Sequence, residues 1–160
     1  MKMRKTLVTL ALCCCAAVAP AQEPDVTLPR IAANENRVSA GTLDNGVLTL
    51  RMEVREGQRH PGPINGPAIS PQIPVDVDTA AFGEVGQGLE IPGPLIRVEQ
   101  GTKVHVSVHN LLRKTVFIHG LSERPDSDLK VIELKPDDTE DASFNAAEPG
   151  TYLYWAGTES

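Results

Sequence analysis

Residues 91–121 read IPGPLIRVEQGTKVHVSVHNLLRKTVFIHGL. In the middle of this stretch Val104, Val106 and Val108 alternate with His105, Ser107 and His109. A period of two is the mark of a strand with one buried face. Gly101 supplies a turn ahead of that strand, and Leu95–Glu99 and Val116–His119 predict two more. Four residues at about 3.3 Å each separate His105 from His109 by about 13 Å. One metal ion is out of reach of both, because metal–imidazole bonds are near 2 Å. Their alternation with valines predicts a solvent-facing row instead.

Outward from this stretch the pattern stays extended. Asn45–Gly46 is a turn signal directly before VLTLRMEVR, where Leu48, Leu50, Met52 and Val54 share one face and Val47, Thr49, Arg51, Glu53 and Arg55 the other. Val75–Phe82, Leu129–Leu134, Asp141–Asn145 and Thr151–Trp155 predict further strands. Turns fall at Lys135-Pro136-Asp137-Asp138 and Glu148-Pro149-Gly150. The segment Gly57–Pro74 is crowded with proline and glycine and predicts an extended loop. Short strands between Pro, Gly and Asp turns, with no amphipathic helix and no internal repeat, predict an all-β antiparallel sandwich.

The motifs Gly93-Pro94, Arg97-Val98, Gly101, the valine strand closed by Asn110, His119-Gly120 and Pro149-Gly150-Thr151-Tyr152-Leu153-Tyr154 are similar to those of the first domain of multicopper oxidases. The resemblance covers residues 89 to 157. It implies a plastocyanin-like, cupredoxin-like Greek-key antiparallel β-sandwich, copper as the cofactor, oxidoreductase chemistry, and further cupredoxin domains or another subunit as partners. In the family an H-x-H-G motif and a Y-H-x-H motif each supply two copper ligands. Those positions are held here by Phe117, His119, Trp155 and Gly157. Only His119 keeps a metal donor. It is either the remaining anchor for copper or another divalent metal, or a structural histidine bonded to a backbone carbonyl near the Gly120 turn. Phe117, Tyr154 and Trp155 read as packing surface, and the hydroxyl of Tyr152 or Tyr154 as bonded back to the main chain in a tyrosine corner. In the family the second motif is followed by another strand. The sequence stops soon after Trp155, so the expectation is a sandwich lacking its closing strand.

A blue copper site needs a cysteine thiolate beside two histidines. All three cysteines, Cys13, Cys14 and Cys15, lie in Met1–Ala21, which reads as a signal peptide: Lys2, Arg4 and Lys5, an apolar run Thr6–Val18, and the small-residue site Ala19-Pro20-Ala21. The apolar run is shorter than the roughly 20 residues a spanning helix needs. Leu12, not a small residue, precedes Cys13, which disfavours lipid attachment. Cleavage after Ala21 and a periplasmic or secreted location are expected. The chain then divides into 1–21 (signal), 22–40 (a partly ordered lead-in) and 41–160 (the plastocyanin-like domain).

The whole chain carries a formal charge of −6, and removal of the three basic signal residues leaves twelve basic against twenty-one acidic residues, or −9. Nucleic acid is excluded as a partner, since its binding requires clustered Lys and Arg. The acidic run Asp126, Asp128, Asp137, Asp138, Glu140 and Asp141 fits no calcium-loop spacing and reads as a solvated face. No nucleophile-elbow, phosphate-loop or H-E-x-x-H motif is present. Two functions are open: an N-terminal scaffold portion of a copper oxidoreductase with no complete copper centre, inactive by itself, or a stand-alone cupredoxin-like interaction module.

Overall fold

The computed structural model describes residues 27–60, 76–123 and 130–158. Met1–Ala21, residues 61–74 of the Pro/Gly segment, and Asp126 and Asp128 of the acidic run lie outside them. The described chain is all-β: β1 (Ile31–Ala33), β2 (Thr42–Asp44), β3 (Val47–Arg59), β4 (Val77–Glu84), β5 (Leu89–Ile91), β6 (Lys103–Asn110), β7 (Val116–His119), β8 (Ile132–Leu134), β9 (Thr139–Asn145) and β10 (Trp155–Gly157). One sheet runs β1-β5-β4-β3-β6-β9, with β2 also on β3, and the second runs β10-β7-β8.

The apolar face of β3, Leu48, Leu50, Met52 and Val54, is the buried one, and with Val104, Val106 and Val108 of β6 it meets Val116, Ile118, Ile132 and Leu134 of the smaller sheet in one core. Each large apolar side chain so buried contributes about 1.5–3 kcal/mol relative to exposure. The chain crosses between the sheets after β6 and returns after β8 to pair β9 with β6. That return is the Greek-key element. At Asn45 and Gly46 both φ angles are positive, 48° and 78°, as the tight hairpin joining β2 to β3 requires.

Three features depart from the expected antiparallel sandwich. The sheet is mixed, because β3 pairs β6 in parallel, with Leu50 opposite Val106, and β1 pairs β5 in parallel. Parallel neighbours need a long crossover, and the chain between β3 and β6 provides one. Second, Leu95–Glu99 is not a strand. Pro92 and Pro94 have no N–H to give a ladder, so this arm is strapped instead by residues of the lead-in: Asn34 Nδ2 donates to the Gly93 carbonyl (3.1 Å) and the Ala40 N–H to that of Leu95 (2.8 Å). Ser39 Oγ lies 3.2 Å from both the N–H and the carbonyl of Arg97. Third, residues 151–154 are outside any strand, and pairing begins only at Trp155.

Candidate functional site

The strand ladder between β7 and β10 sets the geometry of the site. Trp155 pairs with His119, Ala156 with Ile118, and Gly157 with Phe117. Val116 and Ile118 are buried in the core and Ala156 packs against it, so alternation turns Phe117, His119, Trp155 and Gly157 to the outer face. The four positions that the resemblance designates as ligands therefore form one cross-strand quartet, two on each strand. The backbone brings the four positions together, and among them only His119 carries a metal donor.

His119 is stacked on Trp155, ring centroids 5.0 Å apart and planes inclined by 8°. Such stacking contributes about 0.5–1.5 kcal/mol beyond area burial. The expected bond from His119 to a backbone carbonyl is not formed: its ring makes no hydrogen bond among the described residues, and the Trp155 face takes that place. Trp155 is 46 % exposed, and Leu153 and Tyr152 beside it are exposed as well. The result is an aromatic patch on the outside of the smaller sheet.

The other histidines stand elsewhere. His105 and His109 are on the outer face of β6, as their alternation predicted. His105 Nδ1 lies 2.8 Å from Ser143 Oγ and His109 Nε2 lies 3.1 Å from Asp137 Oδ1. His60 Nδ1 lies 3.1 Å from Asp76 Oδ1. Asp137, Asp138, Glu140 and Asp141 are exposed. Among the described residues no three His, Cys, Asp or Glu side chains are grouped to hold a metal ion.

Copper is the cofactor that the resemblance implies, and the quartet does not fit it. Phe117 and Gly157 offer no donor atom, the indole N–H of Trp155 has no lone pair for a metal, and a single imidazole is one ligand where a copper centre needs several. None of the described residues is a cysteine, so a thiolate is lacking too.

Behind the quartet the two tyrosines fix the segment that leads into β10. Tyr154 is largely enclosed, edge-on to Phe82 at 5.2 Å, and its hydroxyl donates to the Pro94 carbonyl at 2.7 Å. Tyr152 donates to the carbonyls of Glu148 (3.3 Å) and Pro149 (3.4 Å), just upstream, which is the local pattern of a tyrosine corner. Both hydroxyls thus bond back to the main chain. Between the 92–98 arm and this segment lies an open, largely apolar cleft of about 640 Å³, lined by Pro94, Ile96, Val98, Phe144 and Tyr152 among others.

Burial, and secondarily the Glu90 carboxylate, raise the Tyr154 phenol well above its ordinary value of 10.0. A phenol whose folded pKa is raised contributes stability that is complete below the unfolded pKa and is lost as pH rises through the folded one. Stability is therefore expected to fall above about pH 10, and Tyr154→Phe to flatten that decline at a cost of about 1 kcal/mol at neutral pH for the lost hydrogen bond. Urea titrations of both proteins at stepped pH test this. Parallel alkaline profiles would show that Tyr154 is not the group involved.

Residues 85–160 match the family model described as multicopper oxidase. No curated protein matches the chain. Among solved structures it is similar to a multicopper oxidase from Campylobacter jejuni described as a metallo-oxidase (17 % identity, 81 % of this chain and 26 % of that one, TM-score 0.47). It is also similar to a laccase from Pediococcus acidilactici (18 %, 82 % and 25 %, TM-score 0.44) and a multi-copper oxidase from the same organism (18 %, 82 % and 24 %, TM-score 0.44). The chain spans about a quarter of the length of each of these proteins. The matched residues 85–160 include the motifs between Gly93 and Tyr154.

No helix among the described residues is long and apolar enough to cross a membrane.

Proposed function

We propose that this chain is an exported plastocyanin-like domain that serves as a scaffold for copper-bearing cupredoxin domains, in the same protein or in a partner subunit, and holds no complete copper centre of its own. The observation that supports this is the quartet of Phe117, His119, Trp155 and Gly157: register and facing suit a ligand set, while three of the four side chains carry no metal donor. A sandwich that keeps the ladder and loses the ligands supplies shape and contact surface rather than electron transfer. The reading of Met1–Ala21 as a cleaved signal places the mature start at Gln22 and the chain outside the cytoplasm.

The test has two arms. Exported material beginning at Gln22 should travel in an assembly larger than this chain that contains copper and oxidises phenols or metal ions. The purified chain, loaded with Cu(II), should develop no intense blue thiolate band and consume no oxygen. Oxidase activity in the purified chain would overturn the scaffold reading, and a copper-free species of this chain alone in the exported fraction would favour the stand-alone module.

A further inference from the structure

We infer that Trp155 is the residue that keeps the outer β7–β10 face free of metal. It stands directly across the ladder from His119, in the place where a second donor would have to be, and it holds the His119 imidazole against its own ring. The inference stands on strand register and ring geometry, so it does not depend on which larger assembly the chain serves.

Three observations converge on it. Directly paired residues of an antiparallel ladder have Cβ atoms about 4.5–5.5 Å apart, and imidazole–metal bonds are near 2 Å, so side chains at 119 and 155 are spaced to share one ion. The plane of His119 is nearly parallel to that of Trp155, with an inclination of 8°. A metal-bound imidazole directs a ring nitrogen, in its own plane, at the ion, so a second ligand has to come to the ring edge, whereas Trp155 covers the ring face and offers no lone pair. Phe117 and Gly157 face each other two ladder pairs away, and neither brings a donor to replace the one Trp155 withholds. His119 is thereby a packing partner of Trp155.

The consequence is asymmetric. Trp155→His changes two things together, removing the stack and adding a donor opposite His119, whereas Phe117→His adds a donor but leaves the stack in place. The mature protein and four variants, W155H, W155H/H119A, F117H and H119A, would be titrated with Cu(II) in competition with a chelator of known affinity, with circular dichroism to confirm the fold. The parent and H119A should bind equally weakly. W155H should bind one equivalent on the order of 100-fold more tightly, since two imidazoles replace one; W155H/H119A should lose that gain, and F117H should gain far less. Stoichiometric copper on the parent that H119A abolishes would overturn the inference, and so would a folded W155H that binds no better than the parent. Proton NMR of the unaltered protein tests the same point without any substitution. The His119 ring protons should resonate upfield of an unstacked histidine because of the Trp155 ring current, and ordinary positions would show that the stack does not hold His119.

Discussion

Asn110→Ala is expected to lower the stability of the domain by about 4 kcal/mol, a large part of the 5–15 kcal/mol that holds a typical domain folded. The Asn110 side chain is fully buried at the end of β6. Its Nδ2 group lies within hydrogen-bond reach of the carbonyls of Lys114 (2.9 Å), Leu134 (3.0 Å) and Lys135 (3.1 Å), and its Oδ1 accepts from the Leu112 N–H (3.0 Å). Its own N–H donates to the Asp138 carbonyl (2.9 Å) and its carbonyl accepts from Asp137 (2.8 Å). One side chain thus joins the end of β6, the link to β7 and the turn between β8 and β9. Alanine would leave the Leu112 N–H and the Leu134 carbonyl without partners in a buried place, at about 1–3 kcal/mol each, and would open a void besides.

Asn110→Asp separates this from simple loss of volume. The carboxylate keeps the acceptor for Leu112 but turns a charge toward three carbonyl oxygens, so burial and that repulsion raise its folded pKa. A raised carboxylate pKa favours the folded state at low pH and disfavours it as pH climbs through that value. The variant should therefore be worse than alanine at neutral pH and improve as pH falls toward the ordinary aspartate value of about 3.9. Chemical denaturation followed by circular dichroism at both pH values measures it. A loss below about 1 kcal/mol for Asn110→Ala would mean that water replaces the amide and that the hub is peripheral.

Asn110 also shows which parts of the fold were readable in the sequence. Its phase matches Val104, Val106 and Val108, so a polar side chain at the inward position had to be satisfied locally. The same period-two logic located β3, β6 and β7 and the outward row of His105 and His109, and the Asn45–Gly46 pair marked the turn ahead of β3. It failed where side-chain and main-chain bonds from distant residues replace a ladder. Leu95–Glu99 reads as a strand, but its carbonyls go to Ser39 and Ala40, and the short β1 that helps to carry this strap has no pattern of its own. Thr151–Trp155 reads as a strand, yet Tyr152 turns to Glu148 and Pro149 while Tyr154 reaches Pro94, so pairing starts at Trp155. Parallel pairing of β3 with β6 is a property of the path between them, which periodicity does not encode. The quartet was legible as four positions and not as a stack: the family resemblance designates residues 117, 119, 155 and 157, whereas the parallel rings of His119 and Trp155 follow from cross-strand register.

Gly120→Ala is expected to cost at least about 3 kcal/mol, and Gly120→Val to prevent folding, because two independent penalties meet at this residue. Gly120 has φ of 85°, a left-handed conformation that costs a residue with a Cβ on the order of 1–2 kcal/mol. In addition, a Cβ built there would collide with the Leu153 carbonyl and stand 2.8 Å from the Tyr154 Cα. Those are main-chain atoms of the segment that leads directly into β10, and Tyr154 itself is fixed by its bond to Pro94, so neither side can yield cheaply. Relief would require moving residues 153–154 outward, which would break the His119–Trp155 register one step further on. The expected signature is specific: Gly120→Ala should show a lower melting temperature together with loss of the upfield His119 ring shifts. Gly46→Ala, also at positive φ (78°) but with open space around its Cβ, should lose stability and leave those shifts intact. Equal costs at the two glycines would show that backbone conformation alone sets the penalty and that the close approach of Gly120 to Leu153 contributes nothing.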